Sequence, residues 1–247
     1  MMIELRDVYK TLAGEPVLDG LTLAVEGGET MVIIGRSGSG KSVTLKHMVG
    51  LMRADRGTVT VDGVDVGTVH GRGLFELRRK FGVLFQSGAL INWLSVYDNV
   101  ALPLREHTRL GPDEIARRVN DTLGLLDMAE HGDKMPADIS GGMKKRAGLA
   151  RAIVLDPEII LYDEPTSGLD PVMASRINEL INDVKAKLGV TSVVVTHDMD
   201  SAYKVADRIG MLYGGRIVQV DSPDGIRNSS DPVVRQFIEG RIDGPME

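Results

Sequence analysis

The chain has 247 residues, a formal net charge of −6 and no cysteine. This length suits one large domain or two small ones with a well-buried core. The acidic balance argues against nucleic acid as the main partner, and the lack of cysteine excludes disulfides, thiolate metal sites and cysteine nucleophiles. We expect no signal peptide, since the chain opens on a strand-like segment, and no apolar run approaches the ~18 residues of a transmembrane helix.

The predicted strands fall into two kinds. Polar and apolar residues alternate in Ile3 to Tyr9, Leu21 to Glu26 and Thr58 to Asp62, which predicts a small antiparallel sheet with one solvated face. Short, mostly apolar runs predict buried parallel strands, and they occupy Thr30 to Ile34, Phe81 to Phe85, Glu158 to Tyr162, Thr191 to Thr196 and Ile209 to Tyr213. Because helical patterns separate these runs, we predict an α/β core.

A phosphate-binding loop follows the first buried strand. The residues are Gly35, Arg36, Ser37, Gly38, Ser39, Gly40, Lys41 and Ser42, which match G-x-x-x-x-G-K-S between a strand and a helix. Glycines let successive N–H groups face phosphate oxygens at the positive end of the helix. Lys41 is expected to reach the β- and γ-phosphates and Ser42 to ligate Mg²⁺. A glycine-rich turn without a ligand is the alternative.

Between Gln86 and Asp156 the strand signal gives way to helical patterns, with Pro112 at one helix start. We predict one domain that spans residues 1–247. Residues 1–86 and 155–221 would form the α/β core with the antiparallel sheet, and residues 87–154 a helical subdomain. Residues 222–247 would form a tail with one short helix, either packed on its own core or bound to a partner or small regulator.

Ser140, Gly141 and Gly142 open a helix whose apolar positions include Met143, Ala147, Ala150 and Val154. The simplest interpretation is an N-cap serine with two flexible glycines. The same arrangement could also bind a phosphate that another molecule supplies.

Polar side chains follow three of the buried strands. Asp163 and Glu164 end one strand, where Asp163 could hold Mg²⁺, directly or through water, and Glu164 could polarise an attacking water. His197 ends another and could donate a hydrogen bond to a phosphoryl oxygen, and Gln86 ends a third. Taken singly, each could be an ordinary polar residue at a strand end.

Taken in order, these motifs resemble the nucleotide-binding subunit of ABC transporters. The series is the phosphate loop, Gln86, Ser140-Gly141-Gly142, Asp163-Glu164, Ser167-Gly168-Leu169-Asp170 and His197. The resemblance covers nearly the whole chain. It implies an α/β P-loop NTPase fold with a RecA-like parallel-sheet core, a small antiparallel β subdomain and an inserted α-helical subdomain.

The resemblance also implies residue roles and partners. Two copies would pack head to tail, with each ATP between one phosphate loop and the other copy's Ser140 helix. Glu164, His197 and Lys41 would be catalytic, and Ser42, Gln86 and Asp163 would hold Mg²⁺. Nucleotide contacts would come from residues 35–42 with Val43, Gln86, Ser140, Gly141, Gly142 and Asp170. Leu12 lies where many relatives stack an aromatic on adenine, so Tyr9 either replaces that contact or packs in its strand.

Several segments resemble the ATPases of Mla-type phospholipid transporters, which work with MCE proteins. They are residues 84–90, 96–106, 140–143 and 234–240. In such systems a permease inserts a coupling helix near the glutamine loop, here beside Ile91, Trp93 and Leu94. Trp93 could instead pack inside the helical subdomain.

The prediction is therefore an ATPase that powers phospholipid transport from the cytoplasmic face of the inner membrane, as a peripheral subunit. Its partners would be a second copy, a membrane permease, an MCE-type protein and a small cytoplasmic regulator, but no nucleic acid. Two alternatives stay open. One is the cassette of another ABC importer or exporter, for an amino acid, lipoprotein or ion, and the other is a soluble ABC-type protein that acts on ribosomes or DNA.

Overall fold

The structure is a computed structural model that describes residues 1–246, and these form two compact units. The first unit contains residues 1–78 and the described residues from 191 onward, and the second contains residues 79–190. In neither unit does any described helix combine the length and the apolar character that crossing a bilayer requires.

The strands, in chain order, are β1 (Ile3–Leu12), β2 (Glu15–Val25), β3 (Thr30–Ile34), β4 (Arg56–Val61), β5 (Val64–Asp65), β6 (Phe81–Leu84), β7 (Ile159–Asp163), β8 (Thr191–Thr196), β9 (Arg208–Tyr213) and β10 (Arg216–Asp221). The helices are α1 (Lys41–Met48), α2 (Gly71–Arg79), α3 (Val96–His107), α4 (Pro112–Leu125), α5 (Gly141–Ile153), α6 (Pro171–Leu188), α7 (Met199–Val205), α8 (Pro223–Arg227) and α9 (Pro232–Glu239). Short 3₁₀ helices cover Ala129–His131 and Pro136–Asp138.

The predicted antiparallel sheet is present in the first unit, with strand order β2-β1-β4-β5. Strands β1 and β2 are longer than predicted, because they join through a tight turn in which Leu12 pairs with Glu15. Ala13 and Gly14 both have positive φ, at 50° and 89°, which suits a two-residue hairpin turn that continues the strand twist. The weaker alternation near this turn hid the strand ends from the sequence pattern.

The first unit also contains parallel strands. β3 pairs in parallel with β8 and β9, and β10 pairs antiparallel with β9. β3 and β8 are buried along their whole length, as their apolar sequences predict. The sequence analysis missed β10, which is a half-exposed polar strand beyond a glycine turn at Gly214 and Gly215.

In the second unit, β6 and β7 form a parallel pair, and the helices α3, α4 and α5 all lie between residues 87 and 154. Helix α4 begins at Pro112, where the sequence predicts a helix start. Helix α5 packs beside β6 and α3. Its glycine Gly148 is needed there, since a Cβ would lie only 2.8 Å from the Gly88 carbonyl oxygen.

The tail packs on its own unit through α8 and α9. Val234 and Ile226 are fully buried, and the Gln236 amide holds the chain end by donating to the carbonyls of Arg241, Ile242 and Met246. The Tyr213 hydroxyl donates to the carbonyl of Pro245 at 2.8 Å. The predicted tail helix corresponds to α9, α8 was not expected, and Glu247 lies outside the described residues.

Candidate nucleotide site

The phosphate loop joins the buried strand β3 to α1. Gly38 and Gly40 have φ values of 81° and 103°, in the left-handed region that favours glycine. At Gly35 a Cβ would lie 2.6 Å from the backbone oxygen of Leu212, so a side chain does not fit. The loop conformation therefore depends on its glycines.

Lys41 and Ser42 begin α1. Lys41 is 6% exposed, and its ammonium donates to the carbonyls of Gly35 at 2.8 Å and Arg36 at 3.0 Å, so the side chain folds back along the loop. Helix α1 has no acidic residue in its first turn, and its N-cap Gly40 provides no side-chain cap. These features favour an anion at the helix N-terminus.

Ser39 gives a direct test of whether a ligand fits the loop. Its Oγ is buried and has no hydrogen-bond partner among the described residues. Buried hydroxyls are usually hydrogen-bonded, and phosphate oxygens would supply the missing acceptors. The loop thus has the backbone, the cation and the orphan donor that a nucleotide phosphate chain requires.

His197 belongs to the first unit and follows β8 directly. Its side chain is exposed. The neighbouring Asp198 caps α7 by accepting from the backbone N–H groups of Asp200 and Ser201, and the Thr196 hydroxyl accepts from Asp198 N at 3.0 Å. The backbone beside His197 is therefore held on both sides.

Glu164 lies in the second unit, one residue past the end of β7. Its φ is 50°, a left-handed conformation that is uncommon for a residue with a side chain. Ser167 N donates to Glu164 O at 3.2 Å, which closes a turn over residues 164–167. Strained backbone of this kind occurs often at functional sites.

Gln86 follows β6, whose parallel neighbour β7 ends at Asp163. The Gln86 amide nitrogen donates to Ser167 Oγ at 3.2 Å, and this leaves the amide oxygen as the atom suited to a cation. In this unit the expected ligands Gln86 and Asp163 would supply an amide and a carboxylate oxygen, and Ser42, in the first unit, would supply a hydroxyl oxygen. Each is a hard oxygen donor of the type that Mg²⁺ prefers.

Ser140 and Asp170 are both helix N-caps in the second unit. The Ser140 hydroxyl is exposed and accepts from Met143 N at 3.3 Å. The Asp170 carboxylate accepts from the N–H groups of Val172 and Met173, at 3.0 Å each. The sequence analysis predicts the cap at Ser140, whereas it expects a nucleotide contact and no cap at Asp170.

Three polar residues that hold neighbouring backbone escaped the sequence analysis. Lys145 on α5 donates to the carbonyls of Glu164 at 3.1 Å and Ser167 at 2.7 Å. Arg151, also on α5, donates to the carbonyls of Gly88 and Ala89 in the loop after Gln86. The available signal was helix register, because Lys145 shares one face of α5 with the buried Leu149 and Ile153.

The third missed residue is Asn99, which organises the loop that carries Trp93. Asn99 is fully buried and makes four hydrogen bonds, to Ile91 N and to the carbonyls of Ile91, Leu94 and Ser95. Trp93 itself is 80% exposed, so the alternative that Trp93 packs inside the helical subdomain is wrong. The loop therefore displays an indole on a firmly held backbone.

Tyr9 is engaged within its own sheet. The Arg56 guanidinium lies 4.1 Å from the centre of its ring, a cation–π contact between β1 and β4. This geometry agrees with a tyrosine that packs in its strand. Leu12 ends β1 in partial exposure.

Together, the fold and the loop define a P-loop nucleotide-binding protein. A family model described as ABC transporter matches residues 18–167. The chain therefore belongs to the ABC transporter family, and it is an ATP-binding ATPase of the cassette type with the predicted fold.

Relatives and solved structures agree with this assignment. A probable ribonucleotide transport ATP-binding protein of Mycobacterium tuberculosis, named mkl, is 45% identical over 99% of this chain and 68% of its own length. The intermembrane phospholipid transport system ATP-binding protein MlaF of Escherichia coli is 38% identical over 99% of this chain and 91% of its own. A dimeric ATP-binding cassette in a post-hydrolysis state with ADP and Pi is 32% identical, with a TM-score of 0.83 over 90% of this chain and 99% of that one.

Proposed function

We propose that this ATPase drives phospholipid movement through a membrane permease that works with an MCE-type protein. The observation that carries the proposal is the 38% identity to MlaF, which extends over 99% of this chain and 91% of MlaF. On this proposal the chain is a peripheral subunit on the cytoplasmic face of the inner membrane.

The residue roles follow the chemistry of phosphoryl transfer. Residues 35–42 and Val43 would bind the nucleotide, with the Lys41 ammonium offsetting phosphate charge. Glu164 would orient the attacking water, and His197 would donate a hydrogen bond to the γ-phosphate. Ser42, Gln86 and Asp163 would hold Mg²⁺, which supplies further charge compensation when bound.

Glu164→Gln tests the catalytic assignment. We expect ATP affinity within twofold of the wild type and a fall of more than about 100-fold in kcat, because the amide cannot act as a base. Fluorescent-nucleotide binding and phosphate release would measure the two quantities. Glu158→Gln is the matched control, since Glu158 is an exposed residue paired with Lys80 just before β7. Undiminished hydrolysis in Glu164→Gln would contradict the role.

A second copy of the chain would complete the site. One similar cassette has been solved as a dimer in two structures, and the exposed Ser140 start of α5 has no acidic residue in its first turn. We expect ATP to dimerise Glu164→Gln and expect the added change Ser140→Arg to prevent this while ATP binding persists. Size-exclusion chromatography with light scattering would measure the mass. Ser222→Arg, at the exposed N-cap of α8, is the control, and normal dimers of the Ser140→Arg protein would contradict the model.

The loop around Trp93 is the proposed contact for the permease. An exposed tryptophan on a rigid loop loses little conformational entropy on binding and buries a large apolar area. We expect Trp93→Ala to weaken permease binding at least tenfold without changing thermal stability. Phe75→Ala, at another exposed aromatic, should leave binding intact.

The name of the 45% identical mycobacterial relatives favours a second candidate, ribonucleotide transport. Purification of the tagged chain with its membrane partners, followed by mass spectrometry of subunits and bound small molecules, separates the candidates. A permease, an MCE protein and phospholipid would support our proposal. A different substrate-binding protein without phospholipid would contradict it and favour another transporter, and recovery of ribosomes or DNA would indicate a function without transport.

A further inference from the structure

The lysine at position 145 is buried on the face of α5 that meets the Glu164 turn. Its side chain is 4% exposed, and its ammonium donates to the carbonyls of Glu164 and Ser167, at 3.1 and 2.7 Å. Both acceptors are backbone atoms, so the contact does not depend on the side chains of the turn. Lys145 thus restrains the path of the backbone that carries Glu164.

A lysine is costly to bury at this place. Burial lowers the pKa of Lys145 to about 8, and the carboxylate of Glu164 opposes this shift by charge attraction. The side chain is therefore mostly charged at pH 7, where a charged donor makes stronger hydrogen bonds than a neutral one. A hydrophobic residue would fill the same helix face without this cost, but it would leave the two carbonyls without the donor that Lys145 supplies.

The turn that Lys145 holds is strained. Glu164 has a φ of 50°, and Gly168, four residues later, also has a positive φ, at 74°. A side-chain-bearing residue keeps such a conformation only where its surroundings enforce it. Lys145 binds the carbonyl at the start of the turn and the carbonyl just before Gly168, so it spans the strained segment.

Gln86 contacts the same turn through a different atom. Its amide donates to Ser167 Oγ, while Lys145 takes Ser167 O, so one serine receives both contacts. Helix α5 also fixes the loop after Gln86, where Arg151 donates to the carbonyls of Gly88 and Ala89. One helix therefore holds both the Glu164 turn and the Gln86 loop.

We propose that Lys145 is a positioning residue for ATP hydrolysis, which holds the turn of Glu164 in register and connects it to Gln86 through Ser167. The inference rests on the proposed role of Glu164. Lys145 does not touch the reacting atoms in this scheme. Helix α5 holds both the loop after Gln86 and the turn of Glu164. A displacement of Gln86 would therefore be passed to the Glu164 turn through Ser167.

Two measurements on the full chain test the proposal. The first is steady-state ATP hydrolysis, and the second is hydrogen–deuterium exchange of the peptide that covers residues 163–170. The test variants are Lys145→Met, which keeps the length and removes the donors, and Lys145→Arg, which keeps a charged donor. Ser167→Ala removes the Gln86 contact and keeps the carbonyl for Lys145. Lys187→Met, at an exposed lysine in the last turn of α6, is the matched control.

For Lys145→Met we expect kcat to fall at least tenfold with the KM for ATP within twofold, and the 163–170 peptide to exchange at least tenfold faster. Lys145→Arg should keep most of the wild-type kcat and most of the protection of the 163–170 peptide. Ser167→Ala should give values between those of the wild type and Lys145→Met, and Lys187→Met should match the wild type. A folded Lys145→Met protein with normal kcat or normal exchange would overturn the proposal. So would a loss that appears in KM alone, or equal losses in Lys145→Arg and Lys145→Met.

The exchange readout separates this proposal from the role of Glu164. If Glu164→Gln keeps full hydrolysis, the catalytic assignment fails while the peptide still reports whether Lys145 holds the turn. If Glu164→Gln loses hydrolysis and Lys145→Met does not, the catalytic assignment stands and the positioning role fails.

Discussion

Helices α1 and α5 both begin at a glycine-rich segment, yet the two starts are built differently. At α1 the N-cap is Gly40 in a left-handed conformation, without a side-chain cap. At α5 the N-cap is Ser140, which is extended and accepts a hydrogen bond from Met143 N. The backbone conformation of the first start requires its glycines, whereas Gly141 and Gly142 lie in the first turn of an ordinary capped helix.

The two helices also bury different basic groups. α1 buries His47, whose Nδ1 donates to the Val43 carbonyl at 2.8 Å and whose pKa is lowered mainly by burial. α5 buries Lys145, which remains mostly charged at pH 7. α1 therefore leaves the backbone N–H groups of its first turn without a side-chain cap, whereas α5 uses its side chains to hold neighbouring segments of the chain.

The largest expected difference in stability is between alanine substitutions in the two glycine-rich segments. Gly35→Ala should destabilise the fold by about 1–3 kcal/mol and abolish most ATP binding, because the new Cβ would meet the Leu212 carbonyl oxygen. Gly141→Ala should change the free energy of unfolding by less than about 0.5 kcal/mol, since its nearest neighbour is Leu169 at 3.7 Å. Chemical denaturation measures the free energy of unfolding, and nucleotide titration measures ATP binding. Equal losses of stability in the two variants would contradict the difference between the α1 and α5 starts.

Removal of the cap at α5 should have the next largest effect. Ser140→Ala leaves Met143 N without its acceptor, and we expect a loss of about 1 kcal/mol in the free energy of unfolding. Ser140→Asp keeps an acceptor and should retain the stability. A fully stable Ser140→Ala protein would show that the hydroxyl serves only a bound ligand.

Gly142→Ala should cost less than about 1 kcal/mol. The new Cβ would overlap Met173 Cε, but this is the end of a flexible side chain, and alanine favours the helix more than glycine does. Urea unfolding of Gly142→Ala beside Gly142→Val measures the room available. A loss as large as that of Gly35→Ala would mean that Met173 cannot move.

The smallest expected effect is a pH dependence from His47. Its folded-state pKa lies below its ordinary value of 6.5, so the unfolded chain binds more protons just below pH 6.5. Stability from this group is complete above pH 6.5 and is lost as the pH falls through that value. The Tm of His47→Leu should therefore fall less steeply than that of the wild type on acidification, while His70→Gln, at an exposed histidine, should follow the wild type.

Much of the site could be predicted because its residues follow recognisable local patterns. The phosphate loop, the Ser140 cap and the Asp163-Glu164 strand end each depend on neighbours within a few positions, where sequence reports structure well. The buried parallel strands were similarly visible as apolar runs, while the edge strand β10 was not, because a half-exposed polar strand has no distinct pattern.

The sequence by itself determined the nucleotide-binding class, the order of the motifs and the family. Only the tertiary structure decided that Trp93 is exposed, that Asn99 holds its loop, and that Lys145 reaches the carbonyls of Glu164 and Ser167. These facts join residues up to 22 positions apart in the chain through backbone acceptors. Every residue carries a carbonyl, so no side-chain pattern in the sequence can reveal which one a buried donor will find.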